Sequence, residues 1–336
     1  MKYLLDGDPG HDDMLAILLA VRHLEVVGVT TTHGNTSVDN ATRNALQWVD
    51  FLGRPDIRVA RGRAHPLLNS PVDSSVGNGS SGAAGAVLPE ATTETYMSDA
   101  IAFLLGASHR YHSDLAIIAT GPLTNIASAL LADPSLGERI QEISLMGGSL
   151  AGGNSTAAAE FNIWADPEAA AVVFASGIPL RMFGLNVTER AGVTSSHIQR
   201  IREIGSDLAI VVADILQHVR IARRQVFAVD DAPLHDPLAV ATFIDPGIFT
   251  LRDMRVDIEL HGNHTRGMTV VDARSLTGST DSPSLNRAVA PMRAANCQVA
   301  VDVDVDAFFD LLIDSIRTYD VHAIRAAAGA GEDHDS

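Results

Sequence analysis

The stretch DGDPGHDDMLAILLA, residues 6–20, follows the apolar run Tyr3-Leu4-Leu5 and sets the reading of the rest of the chain. Four carboxylates (Asp6, Asp8, Asp12 and Asp13) fall among a proline and two glycines, and an apolar helical pattern begins directly behind them. A buried strand ending at Asp6, a Pro-Gly turn and a helix opening at Asp12 or Asp13 would place these acids at the carboxyl edge of a first strand. Ligands bind at that edge in open α/β sheets. Like charges this close repel, so a folded chain keeps them only where a positive charge or a set of donors offsets the repulsion. One aspartate is explained by helix capping. Four call for more, and a hard divalent cation with many oxygen ligands, calcium above all, would gather them.

Working outward, short aliphatic or β-branched runs alternate with longer helical patterns, the mark of a parallel sheet flanked by helices. Strands are predicted at 3–6, 25–31, 57–60, 114–119, 142–146 and 179–185, with helices at 13–23, 38–52, 97–112, 122–132 and 166–176. A long helix near 206–226 follows, then a short one after Pro237, strands at 252–260 and 298–303, and a closing helix at 306–318. No linker divides the chain, so the expectation is one α/β domain over 1–326 with a mainly parallel central sheet, and a disordered tail at 327–336. Residues 70–86 read as a loop, either a flap near the site or a plain surface connection. Asp302, Asp304 and Asp306 in VDVDVDAFF have a period of two, which reads as a solvated strand face running into a helix cap.

The 336 residues are 46% hydrophobic and 19% charged, enough for a large core. A formal net charge of -17 and the lack of a basic run argue against nucleic acid or anionic membrane as partner. Cys297 is the single cysteine, which rules out an intramolecular disulfide framework and favours a reducing compartment. The first apolar run is too short for a secretory leader and no stretch is long enough for a membrane span, so a cytoplasmic protein is expected. Lys2 is the only lysine, which removes Schiff-base and P-loop chemistry. An EF-hand fails because its twelfth loop position, counted from Asp6, is Ile17. Asp6-Gly7-Asp8 is also similar to the Asp-x-Asp of haloacid-dehalogenase-type phosphatases; those enzymes use a lysine that this chain lacks, and this reading stands second.

DGDPGHDD followed by a helix resembles the amino-terminal signature of the inosine-uridine preferring nucleoside hydrolases, D-x-D-P-G-x-D-D. Further blocks occur in the family's order: THGN at 32–35, ATGPLTNIA at 119–127, LMGG at 145–148, GN at 153–154, AEFNIWADPEAA at 159–170 and LHDPLA at 234–239. The resemblance implies hydrolysis of the N-glycosidic bond of a ribonucleoside, one calcium ion per chain, and a homodimer or homotetramer. It implies calcium ligands at Asp8, Asp13, Asp236 and the Thr120 carbonyl, with Asp8 taking the proton of the attacking water. It implies ribose and substrate contacts from Asp12, Asn35, Met146, Asn154, Glu160, Phe161 and Asn162. His235 is implied as the acid or base contact for the departing nucleobase. A second class keeps the same site as a non-catalytic ribose or nucleoside binder.

The chain departs from the family at the base. Where many members read His-Gly-x-x-Gly-Leu, this chain has Asn78-Gly79-Ser80-Ser81-Gly82-Ala83, so the position over the base is Asn78, an amide that can hydrogen-bond but supplies no proton near neutral pH. HVRIARRQVFAVDDAP, residues 218–233, also lacks the tyrosine common in pyrimidine-active members. Arg223, Arg224, Gln225 and Phe227 either face the base in its place or cover the helix surface.

Overall fold

Lys2–Gly7 forms the first strand, β1, with every residue from Tyr3 onward buried. Leu4 and Leu5 point to opposite faces and join separate cores, as expected of a strand covered on both sides. The computed structural model describes residues 1–70, 88–227, 229–277, 293–321 and 324. Behind β1 the helix α1 (His11–His23) carries Asp12 and Asp13 in its first turn, where the helix dipole favours negative charge.

The remaining strands are β2 (Glu25–Thr31), β3 (Val59–Arg61), β4 (Leu115–Ala119), β5 (Ile140–Met146), β6 (Leu180–Phe183), β7 (Gly192–Val193), β8 (Ala232–Pro233), β9 (Phe249–Met254), β10 (Val256–Ile258), β11 (Thr269–Val271) and β12 (Cys297–Val303). The main sheet has eight strands in the order β3-β2-β1-β4-β5-β6-β12-β9. All its pairings are parallel except β12 with the edge strand β9. The chain builds outward from β1 to β3 on one side and then returns to place β4 on the other. The order therefore reverses between β1 and β4, and a crevice opens at their carboxyl ends. One face of the sheet is covered by α1 and the helices Val38–Phe51, Asp207–Phe227, Pro237–Ile244 and Val305–Thr318. The helices Ala100–Tyr111, Thr124–Ala132 and Pro167–Phe174 cover the other.

The α/β architecture and its mainly parallel sheet are as the hydrophobic pattern predicts. The expected strand at 252–260 is instead broken at Arg255, because β9 pairs with β12 in the main sheet while β10 pairs with β11. Asn296 fills the break: its Oδ1 accepts from Val256 N at 2.8 Å, and its Nδ2 donates to the carbonyls of Val256 and Phe174, both at 2.9 Å. Four short helices among the described residues were not anticipated: Phe161–Ala165, Leu185–Thr188, Ser195–Arg202 and Arg274–Thr277. Apart from Ser70, the loop at 70–86 lies outside the described residues, as does the tail at 327–336. No described helix is long and apolar enough to cross a membrane.

Candidate active site

The carboxyl ends of β1 and β4 bring the first acids together. Asp13, in the third position of α1, accepts from Gly10 N at 2.9 Å with Oδ2 and from the Thr120 hydroxyl at 2.7 Å with Oδ1. Thr120 follows β4 directly and is held to β1 by its N–H, which donates to the Asp6 carbonyl at 2.8 Å. Glycine at position 7 permits this approach, since a Cβ there would lie 2.3 Å from Thr120 Oγ1 and 2.6 Å from Asp13 Oδ1. Asp8 is fully buried. Its Oδ2 accepts from the Asn35 N–H, whereas its Oδ1 has no hydrogen-bond partner. Gly121 leaves room for it, because a Cβ there would come within 2.8 Å of Asp8 Oδ1.

Asp236 arrives from more than two hundred residues away. It occupies the N-cap position of Pro237–Ile244 yet makes no capping bond. The plain capping explanation therefore fails for it: its carboxyl points into the cluster and hydrogen-bonds Asp13. Asp12, Asp13 and Asp236 are all buried, with ligand oxygens within 4.8 Å of one another. The expected calcium set named Asp8 rather than Asp12 beside Asp13 and Asp236. In the structure Asp12 completes the tight trio, while Asp8 adjoins it closely enough for its charge to act on Asp236.

Burial dominates the electrostatics. Desolvation and the charge of Asp12 push Asp13 up to about 7. Desolvation and neighbouring carboxylates hold Asp8 and Asp236 well above the usual range. Such a set is strained as bare anions, and Asp8 Oδ1 is a buried acceptor that no protein donor reaches. A hard cation with oxygen ligands fits both features. Asp6 is different. It is also buried and raised to about 6 by desolvation, but its Oδ1 accepts from the hydroxyl of Thr30 at 2.5 Å and from Asn125 Nδ2 at 2.7 Å. Tied back into the sheet, Asp6 is not poised as the partner of Asp8 that an Asp-x-Asp phosphotransferase would need.

The candidate ribose contacts converge on the same edge. Asn162 is buried, and its Nδ2 donates to the Thr120 carbonyl at 3.0 Å and the Met146 carbonyl at 3.1 Å. Glu160 caps Phe161–Ala165, with Oε1 accepting from Asn162 N at 2.9 Å and Oε2 from Gly148 N at 2.9 Å. Burial pushes Glu160 up to about 7. Asn154 is exposed and accepts from Phe161 N at 2.9 Å. Asn35 supplies its backbone N–H to Asp8. His235 Nδ1 lies 2.8 Å from the Thr188 hydroxyl, so the contact orienting this ring is Thr188. Desolvation lowers its pKa to about 4, which keeps the ring neutral near pH 7. Asn78 lies outside the described residues.

Sequence reasoning missed a second tier of residues. Asn125 Nδ2 donates to Asp6 and to the Thr31 carbonyl at 3.0 Å, and its Oδ1 accepts from Arg63 N at 2.9 Å, so one amide joins the ends of three strands. Next to it, the Thr124 hydroxyl donates to Asp166 at 2.7 Å and lies 3.0 Å from His33 Nε2. Both belong to ATGPLTNIA and Asp166 to AEFNIWADPEAA, so the signal lay in blocks already singled out.

Comparison with known proteins agrees with this geometry. The family model for inosine-uridine preferring nucleoside hydrolase matches residues 3–310. The pyrimidine-specific ribonucleoside hydrolase RihA of Shewanella woodyi is 40% identical over 319 residues, covering 94% of this chain and 98% of its own. The RihA of Enterobacter sp. is 38% identical, covering 96% and 99%. Among solved structures, the purine-preferring ribonucleoside hydrolase from Gardnerella vaginalis superposes with a TM-score of 0.85 at 31% identity, covering 97% of this chain and all of that one. A plant nucleoside hydrolase, the PpNRh1 enzyme, gives a TM-score of 0.84 at 27% identity, covering 94% and 99%. The chain belongs to the inosine-uridine preferring nucleoside hydrolase family and is an enzyme of that type, a ribonucleoside hydrolase.

Proposed function

We propose that the enzyme hydrolyses the N-glycosidic bond of ribonucleosides to ribose and free base with one calcium ion at the carboxylate cluster and Asp8 as general base. The observation that carries this reading is the buried Asp8 Oδ1, which lacks a hydrogen-bond partner beside the trio of Asp12, Asp13 and Asp236. Held by Asp8, Asp13, Asp236 and the Thr120 carbonyl, the cation would offset the carboxylates, acidify water and orient the ribose hydroxyls.

The protein's own groups do the rest. Asp8 accepts the proton as the water oxygen adds to C1′, and the electron pair of the C1′–N bond leaves with the base through an oxocarbenium-like transition state. The Asn35 N–H fixes the Asp8 carboxylate while leaving Oδ1 for this task. Asp12, Asn35, Asn154, Glu160 and Asn162 bind the ribose hydroxyls, with Met146 and Phe161 along the wall. His235 contacts the base. The RihA relatives are named for pyrimidine substrates, so uridine and cytidine head the list. By the same resemblance the enzyme is a homodimer or homotetramer, which light scattering would test.

Release of reducing sugar from a panel of ribonucleosides and 2′-deoxyribonucleosides, with and without chelator, tests the proposal. Ribonucleosides should react, 2′-deoxy substrates should react poorly, and chelation should abolish turnover until calcium is returned. Full activity under chelation would remove the cation from the mechanism. No turnover of any ribonucleoside would overturn the whole reading.

A further inference from the structure

We propose that the protein carries a second small-molecule site, remote from the carboxylate cluster, which binds a single aromatic or heteroaromatic ring bearing a carboxylate. The site is a cavity of about 220 Å³ between helix Ala100–Tyr111 and the outer strands of the sheet, with Arg58 and Arg110 as its cations.

The cavity exists because neighbouring strands differ in length. β3 pairs with β2 only from Val29 onward, so the first half of β2 has no strand on that side and Val27 is left half-buried. On the far side of β3, Tyr96 N donates to the Val59 carbonyl at 2.9 Å and the Met97 carbonyl accepts from Arg61 N at 2.9 Å. Helix Ala100–Tyr111 covers the gap. Its Phe103 is pressed against β2, where a Cβ at Gly28 would lie 2.5 Å from the ring, and it meets Tyr96 edge-on with centroids 5.6 Å apart. Val27, Met97 and these two rings give the cavity an apolar, aromatic lining. The gap lies toward the amino end of β2, whereas the acids of the active site lie at the carboxyl ends of β1 and β4, so a ligand here does not meet the ribose site.

Two features set this cavity apart from a packing defect. Ala102, Gly106 and Arg110, each four residues from the next, form an exposed row of the helix that lines it. Glycine is disfavoured in a helix interior, and no close neighbour requires one here, since a Cβ at Gly106 would meet nothing within 4 Å. The glycine keeps the space open. The second feature is charge. Arg54 and Arg61, on either side of Arg58 in sequence, pair with Asp56 at 2.7 Å and Asp39 at 2.6 Å. Arg58 instead lies 4.5 Å from the centroid of the Tyr96 ring and Arg110 lies 5.4 Å from that of Tyr111, and no carboxylate among the described residues pairs with either. Lys2, 6.0 Å from the Tyr111 ring, is taken up by Glu25. No acid among the described residues lines the cavity. In a chain of net charge -17, two guanidiniums left without carboxylates at one aromatic cavity are a departure that an anionic ligand accounts for.

The ligand class follows from these groups. A guanidinium stacked on a ring keeps its N–H edge free, and that edge matches a carboxylate with two parallel hydrogen bonds. The aromatic walls suit a flat ring. Sites for drug-sized ligands span roughly 300–1,000 Å³, so this smaller cavity takes one ring rather than a whole nucleoside.

Calorimetric titration of the full chain with benzoate and with orotate, a pyrimidine carboxylate, tests the proposal. At least one should bind saturably, one per chain. Benzamide keeps a ring without the charge and acetate keeps the charge without a ring; each should bind about tenfold more weakly or worse, the scale of one lost charge-assisted hydrogen bond. Arg58→Gln and Arg110→Gln should each weaken binding by a similar factor. Gly106→Leu favours the helix while filling the cavity, and it should abolish binding without lowering the melting temperature. Absence of saturable binding by both acids would overturn the proposal. Equal affinity for benzamide would remove the charge recognition and overturn it too, and binding that survives Gly106→Leu would place the ligand elsewhere and do the same. None of these outcomes bears on sugar release, so the hydrolase reading stands or falls separately.

Discussion

Two stretches of this chain are almost equally rich in aspartate and meet opposite fates. Asp6, Asp8, Asp12 and Asp13 at the end of β1 are all buried; Asp302, Asp304 and Asp306, where β12 runs into its helix, are all exposed. A hydrogen bond from Arg190 holds Asp302 below the ordinary carboxylate range, whereas burial lifts Asp13 to about 7. Asp304 caps Val305–Thr318 by accepting from Ala307 N at 3.0 Å. The side chain is the same, so the difference lies in position. β1 is an interior strand of the sheet with helices on both faces, while β12 lies next to the edge strand and its end opens to water. Acids in water are solvated and cost little; acids at a buried strand end must be offset by something else.

The largest expected contrast is in rate. Asp8→Asn should lower kcat about 10³-fold, the scale of a lost general base, while Asp302→Asn leaves sugar release unchanged. Next comes cation binding. Calcium at 100 times its dissociation constant should stabilise chelated protein by about 2.7 kcal/mol in thermal melts, a response that Asp13→Asn abolishes and Asp302→Asn keeps.

The pH dependence of the chelated protein should separate the two regions by sign. Glu160, like Asp13, has a folded pKa of about 7, above the unfolded value near 4.5. Its contribution is fully present below pH 4.5 and is lost as pH rises toward and through 7, a decline of about 3 kcal/mol in denaturant titrations that Glu160→Gln should flatten. Asp302, with its depressed pKa, acts in the reverse direction, losing its contribution only as the solution turns acidic. The smallest effect is at the cap. Asp304→Ala should cost about 1 kcal/mol in the melt with no change in kcat. A loss of activity there would mean that the exposed acids are not as separate from the site as the fold makes them.

Much of the α/β pattern was legible because burial on both faces writes continuous apolar runs into the interior strands, as LAIIA in β4 and the end of EVVGVTT in β2 illustrate. The break at Arg255 was not, because it depends on a side-chain amide from Asn296 taking over backbone hydrogen bonds forty residues away. Asn125 was hidden for a similar reason. An asparagine opening a helix looks like any other until its three partners, from β1, β2 and the segment after β3, are seen to meet at it.

Local sequence was sufficient for the strand, turn and helix around Asp6–Asp13, since hydrophobic periodicity, Pro-Gly and the apolar helix act over a few residues. The ordered blocks along the chain were sufficient to place it in a family. Tertiary structure alone decided which acids act together. It turned Asp6 into the sheet toward Asn125 and drew Asp236 out of a capping role into contact with Asp13. Those outcomes depend on crossovers that bring distant segments to one crevice and on the solvent they exclude there, and neither is encoded in the spacing of neighbouring residues.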